Sequence, residues 1–311
     1  MSTMAQLRSM TSVDGVITPT DEARVSVLDR GFLYGDSIYE VFRTYDGVPL
    51  FYDEHWARLQ NSAAMIRMAI GLTKAELTER IRATVEATGA ATSRTDVYVR
   101  FTITRGIGAI DLFPDETLTP SCVIIVKQLA AWSPELYSSG VSLAVPGTRR
   151  NSGSALDPNI KGGNYLNNVL GLLEARALGA DDCLMLNDAE LVTEASNSNV
   201  FFVIDGDLVT PSQSARNLKG LTKAAVHEAC RGHGFPTDER EIMERDLART
   251  TECFLTSATR EVMPVATLGL RDGGEVRFPP GGGEATRRAA RYYREYVDAY
   301  VRTHRRLSLF G

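Results

Sequence analysis

Residues 155–168 read ALDPNIKGGNYLNN, a polar, turn-rich loop in which Lys161 stands before two glycines. Upstream lies the apolar, strand-like run 141–145. Downstream, Leu166, Val169, Leu170, Leu173 and Ala177 recur at helical spacing. That spacing predicts an amphipathic helix over 165–178, closed by Gly179 as a C-terminal cap. Taken alone, a lysine in such a loop reads as a solvated surface lysine. The rest of the chain changes that reading.

From Gly15 to Val126, strand and helix patterns alternate. A hairpin-like stretch covers 39–52, helices are predicted over 55–70 and 74–88, and strands over 97–104 and 122–126. In 97–104 the apolar Val97, Val99, Phe101 and Ile103 alternate with Tyr98, Arg100, Thr102 and Thr104, the period of a half-buried strand. Trp132, Ser133 and Pro134 then break the regularity. Residues 1–126 thus read as a small N-terminal α/β domain, 127–139 as an interdomain loop, and 140–311 as a larger C-terminal domain. In the latter, short strands are predicted at 183–186, 200–204 and 253–256, with a tight hairpin turn at Asp205–Gly206. A helix follows Gly220 to Cys230. The final helix, from Thr286, carries Tyr293, Val297 and Tyr300 on one side and is expected to pack on the second domain. Gly281–Gly283 lacks the strand and the trailing Lys-Ser/Thr of a nucleotide loop and reads as a linker.

Composition narrows the function. The 311 residues, 43% hydrophobic and 23% charged, suit an ordinary globular protein with more than one core. A net charge of −5 argues against nucleic acid, and the basic cluster Arg287, Arg288, Arg291 and Arg294 reads as a solvated helix face. Cys122, Cys183, Cys230 and Cys253 form no CxxC pair, so neither a zinc site nor a disulfide framework is expected, and they read as buried thiols. No stretch approaches the roughly 20 apolar residues of a membrane span, and no leader segment is recognisable. A cytoplasmic enzyme without metal is the expectation.

Further along come VTEASNSNVFFV (192–203), NLKGLTK (217–223) and FLTSATREVMPV (254–265). Before the lysine loop come DRGFLYGDSIYEVFRTYDG (29–47) and EHWARLQNSA (54–63). In order and separation these segments resemble the signatures of class IV, fold type IV, pyridoxal-phosphate-dependent aminotransferases, the superfamily of branched-chain and D-amino acid aminotransferases and aminodeoxychorismate lyases. The resemblance runs from about Val13 to Val265. It implies a two-domain α/β (α+β) fold with pyridoxal 5′-phosphate at the domain interface, amino acids and 2-oxo acids as substrates, and a homodimer.

Carried over residue by residue, the resemblance makes Lys161 the catalytic lysine that holds the cofactor as a Schiff base. The chemistry asks for an unprotonated amine, which desolvation and a neighbouring cationic cofactor favour. Once released, the same amine can shuttle a proton as base and acid. Glu194 matches the carboxylate that keeps the pyridine nitrogen protonated, so that the ring can act as an electron sink. Gly220, Leu221 and Thr222 open a helix whose N-terminus suits a phosphate, and Arg58 supplies its cation. Tyr165, Asn199, Leu218, Ser257 and Ala258 complete the implied cofactor contacts. Ala258 stands where relatives often carry a threonine touching the phosphate; Thr256, Ser257 or Thr259 are the hydroxyls left to replace it.

For the substrate, Tyr98-Val99-Arg100 matches a Tyr-x-Arg pair that in branched-chain enzymes reaches across a subunit boundary toward the substrate carboxylates. Tyr34 and Tyr39 match aromatic pocket positions, and Arg43, Ala258 and Thr259 join the implied substrate contacts. Val41 stands where branched-chain enzymes commonly have glycine, which resembles D-amino acid enzymes instead. The loop TRGIGAID (104–111) offers Arg105 as a carboxylate ligand but lacks the Arg-x-His of typical D-amino acid enzymes. The expectation is therefore a transaminase for branched-chain or other hydrophobic L-amino acids with 2-oxoglutarate as acceptor. D-amino acid or (R)-amine transamination is the alternative, and aminodeoxychorismate lysis a third.

Overall fold

The computed structural model of the protein describes residues 7–310, which form two compact units. The first comprises the chain up to Ala130, the segment Ile160–Asn164 and the chain from Ala299 on; the second comprises Ala131–Asn159 and Tyr165–Asp298.

The first unit is built on a six-stranded antiparallel sheet in the order β2-β1-β6-β5-β3-β4. Its strands are β1 (Met10–Val13), β2 (Val16–Pro19), β3 (Ser37–Tyr45), β4 (Val48–Pro49), β5 (Val97–Thr104) and β6 (Ser121–Gln128). Its helices are α1 (Arg30–Tyr34), α2 (Tyr52–Met65), α3 (Lys74–Ala87) and the single turn α4 (Ala90–Ser93). The alternation read in β5 is realised: Val97, Val99, Phe101 and Ile103 are fully buried, in one core with Leu59 of α2 and Leu77, Ile81 and Val85 of α3. Each such side chain contributes roughly 1.5–3 kcal/mol. Thr73 and Glu76 cap α3 reciprocally, a device worth about 1 kcal/mol.

Register then decides what the sheet's other face carries. Tyr39, Val41 and Arg43 pair with Thr102, Arg100 and Tyr98, so these six side chains share one face, while Ile38, Glu40 and Phe42 turn the opposite way.

The second unit holds a mixed nine-stranded sheet, β12-β11-β10-β13-β14-β7-β8-β9, with β15 added on β14. Its strands are β7 (Val141–Ala144), β8 (Asp182–Leu186), β9 (Val192–Ala195), β10 (Asn199–Ile204), β11 (Asp207–Pro211), β12 (Asp238–Arg240), β13 (Thr250–Ser257), β14 (Glu261–Gly269) and β15 (Glu275–Arg277). Helices α5 (Pro134–Ser139), α6 (Leu166–Ala177), α7 (Leu221–Gly232) and α8 (Glu284–Thr303) accompany it. β10 and β13 are buried along most of their length, and Val200, Phe202, Cys253 and Leu255 lie in one core. At the β10–β11 turn, Asp205 and Gly206 both take positive φ, as a two-residue hairpin requires.

Three expectations change. Residues 127–139 are not wholly loop: Ser133 caps α5, with Pro134 in its first turn. The division of the chain is also not a single cut, because Ile160–Asn164 and the end of α8 belong to the first unit.

The third change is the facing of α6. Its inward residues are Asn168, Gly171 and Ala175, whereas Leu166, Val169, Leu170 and Leu173 are exposed, Leu166 by 71%. The helix runs close to β8 there, where a Cβ on Gly171 would lie 3.3 Å from the Met185 Cε and 3.5 Å from the Cys183 Sγ, and this close approach favours small residues on that face. In α8, Tyr293 and Val297 are buried, while Tyr300 meets Phe51 edge-on at 5.0 Å within the first unit. All four cysteines are buried and unpaired. Among the described residues no helix is long and apolar enough to cross a membrane, and no cluster of three or more His, Cys, Asp or Glu could hold a metal.

Candidate active site

In the first unit, the lysine loop is fixed by its backbone. Tyr39 N–H donates to Lys161 O at 2.9 Å, Gly163 N–H to Ser37 O at 3.1 Å, and Lys161 N–H to Ser62 Oγ of α2 at 3.2 Å. Gly162 permits this approach, since a Cβ there would sit 3.1 Å from Ser37 O. The Lys161 Nζ lies 3.4 Å from the Tyr39 hydroxyl and 4.6 Å from its ring centroid. The guanidinium carbon of Arg100 is 3.7 Å from the same centroid. Tyr39 therefore joins the amine and a fixed cation on one sheet face, and cation–π contacts of this kind hold both in place.

Arg100 also hydrogen-bonds Tyr98, whose phenol is pushed up by burial. It thus shares the Tyr39 ring with the Lys161 of its own chain. Arg43 stacks on Tyr45 at 4.2 Å, and Tyr34 ends α1 under Arg30 at 4.9 Å.

Arg105 is not presented as a carboxylate ligand for substrate. Its Nε and Nη2 donate to Asp36 at 2.6 and 2.9 Å, and Nη1 and Nη2 donate to the carbonyls of Arg67 and Ile66. Burial alone would raise the Asp36 carboxyl, but hydrogen bonds and charge from Arg105 and Arg30 outweigh it and leave it below its ordinary value.

Arg58 is likewise no surface arginine. Its Nε and Nη2 both donate at 2.7 Å to the two oxygens of Glu40, a fully buried carboxylate, and His55 Nδ1 lies 2.6 Å from Glu40 Oε2. Burial opposes the charge on Glu40, but Arg58 and then His55 prevail and hold it at about 2. Neither Glu40 nor His55 was singled out from sequence. The available signal was a carboxylate in the apolar register of β3, between Ile38 and Phe42, and a histidine one helical turn before Arg58.

In the second unit, Glu194 lies on β9, buried, with Arg150 Nη2 at 2.9 Å from Oε1 and the Leu218 N–H at 3.1 Å from Oε2. Arg150 in turn donates to Asn168 Oδ1 at 2.8 Å. Nothing in the sequence marks Arg150 apart from its neighbour Arg149. Asn199 Nδ2 donates to Leu218 O at 3.0 Å and packs so tightly on Gly220 that a Cβ there would come within 1.9 Å of Asn199 Oδ1. Gly220 is the N-cap of α7 and brings no side chain to it; Leu221 and the buried Thr222 form its first turn.

Asn199 pairs across the ladder with Thr256, so the two side chains share a face. The Thr256 hydroxyl is buried and has no hydrogen-bond partner among the described residues. Ser257 Oγ accepts from the Arg260 N–H, and Ala258 and Thr259 form the half-buried β13–β14 turn. Tyr165 is half-buried at the N-cap of α6.

An uncapped helix N-terminus pressed close by a glycine, with an orphaned buried hydroxyl on the adjacent ladder face, is chemistry that an anion such as phosphate satisfies. Within the second unit, a buried carboxylate gripped by a guanidinium has the chemistry to face a protonated pyridine nitrogen; within the first, a backbone-fixed lysine offers the amine that an aldehyde takes up.

The chain matches the family model Amino-transferase class IV over residues 37–268. It is 32% identical, over 83% of this chain and 88% of the relative, to a putative branched-chain-amino-acid aminotransferase of Methanocaldococcus jannaschii. It is 30% identical, over 82% and 87%, to a D-alanine aminotransferase of Bacillus licheniformis. The structure superposes with a TM-score of 0.81 and 26% identity on the PLP-form branched-chain amino acid aminotransferase of Thermobaculum terrenum, covering 97% of this chain and 98% of that one. The chain belongs to the class IV aminotransferases, of fold type IV. It is an aminotransferase, and pyridoxal 5′-phosphate is its cofactor.

Proposed function

We propose that the enzyme moves the amino group of a branched-chain or other hydrophobic L-amino acid to a 2-oxo acid such as 2-oxoglutarate. The observation that carries this is Arg100 stacked on Tyr39 beside the Lys161 amine: a permanent cation for a carboxylate, set among aromatic rings that suit an aliphatic side chain. Tyr98 steadies the guanidinium, and Tyr34 and Arg43 complete the substrate side.

The cofactor, when bound, supplies the aldehyde that takes up the amino group and the ring that draws electrons from the substrate Cα. Lys161 would hold it and move the proton at the substrate Cα. Glu194, its two oxygens held by Arg150 and Leu218 N–H, would face the ring nitrogen. Arg58 and the first amides of α7, with Gly220, Leu221 and Thr222, would hold the phosphate. Thr256 supplies the hydroxyl that Ala258 lacks; Ser257 and Thr259 lend backbone amides, and Tyr165, Asn199 and Leu218 frame the ring.

A second reading, a D-amino acid or (R)-amine transaminase, is favoured by the D-alanine relative and by Val41 of β3. It is weakened by the commitment of Arg105 to Asp36. The test is a half-reaction screen of L- and D-amino acids and both phenylethylamine enantiomers, followed by loss of the cofactor absorbance. L-leucine and L-valine should react fastest. Reaction with D-alanine but not L-leucine would establish the second reading, and release of pyruvate from aminodeoxychorismate without any oxo acid would indicate a lyase.

We further propose a homodimer that covers the exposed leucines of α6, and, from four unpaired buried thiols, a working place in the reducing cytoplasm.

A further inference from the structure

We propose that His55 is a positioning residue for the cofactor phosphate: its Nδ1–H fixes the buried carboxylate of Glu40, and Glu40 then presents the Arg58 guanidinium in one orientation. This rests on the reading of Arg58 as the phosphate cation.

The geometry forms a chain of contacts. Glu40 is fully buried on β3, immediately after Tyr39, whose ring and hydroxyl meet the lysine amine. Its Oε1 accepts from Arg58 Nε, and its Oε2 accepts from both Arg58 Nη2 and His55. The pair is bidentate, so the orientation of the carboxylate plane dictates that of the guanidinium plane. A carboxylate held by one arginine alone can rotate with it as a unit. His55, on a second bond to Oε2, removes that freedom.

His55 can do this only as a donor, because an ionised carboxylate only accepts. Burial lowers the His55 pKa, Glu40 pulls it up, and Arg58 and Lys161 push it down; the balance leaves the ring below its ordinary value and therefore neutral at pH 7. A neutral ring carries one proton, and Glu40 at Nδ1 selects which nitrogen bears it. The guanidinium carries five N–H donors, and the bidentate pair spends two of them on Glu40. Phe42 packs 6.0 Å from the imidazole, which leaves it little room to turn.

His55, Arg58 and Ser62 lie at i, i+3 and i+7 of α2, on one face. Ser62 accepts the Lys161 N–H. One helical face thus sets both the backbone of the lysine and the aim of the arginine, which makes the histidine part of the cofactor's frame without touching it.

The experiment titrates the apoenzyme, by absorbance, with pyridoxal 5′-phosphate and separately with pyridoxal, which lacks the phosphate, in wild type, H55L, H55N and R58Q. H55L should weaken pyridoxal 5′-phosphate by about tenfold and leave pyridoxal unchanged. H55N, whose side-chain amide can take the place of the Nδ1–H, should restore most of the loss. Equal weakening of both ligands, no change in either, or an H55N as poor as H55L would overturn the proposal. R58Q separates the two readings: selective loss of the phosphorylated ligand upholds Arg58 as its cation, so an unselective H55L beside it would refute His55 alone. An unselective R58Q would remove the premise instead. Should H55L fail to fold, H55Q, which carries its amide one bond too far, supplies the same comparison.

Discussion

Helices α2 and α6 are of similar length, yet they use their faces in opposite ways. The inward face of α2 holds His55, Leu59 and Ser62, with Arg58 alongside, so its polar groups are buried and hydrogen-bonded. The inward face of α6 is Asn168, Gly171 and Ala175, and its leucines look outward. A helical period of apolar residues therefore identifies a stripe but not what covers it. In α2 the neighbour is the chain's own sheet, and chemistry can be buried there because every polar group finds a partner. In α6 the close approach of β8 demands small residues, which leaves the large ones for another surface.

The largest effect tests the α2 side at its end point. Lys161→Ala should lower the half-reaction rate by roughly 10²–10⁴-fold, the worth of a positioned acid–base group, and borohydride reduction of wild type should place its label on Lys161 in a peptide map. A label on Lys219 or Lys223 would instead move the covalent site to the start of α7.

Next comes the buried pair itself. Glu40→Ala leaves Arg58 and His55 without their carboxylate, and breaking one partner of a buried ion pair costs about 3–5 kcal/mol. Denaturant unfolding should show a loss of that size. A loss within about 0.5 kcal/mol, the scale of an ordinary surface change, would mean that the α2 face is no more interdependent than that of α6.

The α6 side is tested by L170E together with L173E. Both residues are exposed, so the fold should lose no more than about 0.5 kcal/mol per substitution. The oligomer should fall apart, read as a fall in mass by light scattering. An unchanged mass would place the subunit contact elsewhere and leave the exposed leucines without a partner.

How far the site was legible follows the same division. Lys161, Glu194, Arg58 and the Gly220 turn stand in ordered segments whose residue types the cofactor's chemistry constrains, and the sheets followed from alternation in β5 and from the turn residues around β10. The partners that hold those groups were not legible. Glu40 pairs with His55 across 15 positions and Arg150 with Glu194 across 44, and no local period links residues so far apart. Arg105 misled for the converse reason: a cation after a strand looks available until Asp36 is seen to occupy it. The exposed side of α6 was misread because the packing limit is set by Cys183 and Met185 of β8, which no period within the helix reveals.

The smallest expected effect is a pH dependence carried by His55. The groups facing it are Glu40 from β3, Arg58 from its own helix and Lys161 from the lysine loop. Its folded pKa lies below the ordinary histidine value of 6.5, so on acidification the unfolded chain takes up this proton first. By linkage, stability then rises with pH. The contribution is whole above about 6.5 and is lost as pH falls from there toward the folded value, with a slope of at most about 1.4 kcal/mol per pH unit for one proton. Glu40 acts in a lower window, between its ordinary 4.5 and about 2, in the same direction: its stabilisation is present above 4.5 and lost below. His227 of α7, also lowered by burial, titrates in the upper window. The informative quantity is thus the difference between wild type and H55L in urea unfolding at pH 7, 6 and 5. Wild type should lose stability more steeply than the variant as pH falls. Parallel slopes would mean that His55 takes up its proton at the same pH folded as unfolded, and a wild type that loses stability less steeply than the variant would mean that His55 is already protonated in the folded state, which would remove the neutral donor from the α2 face.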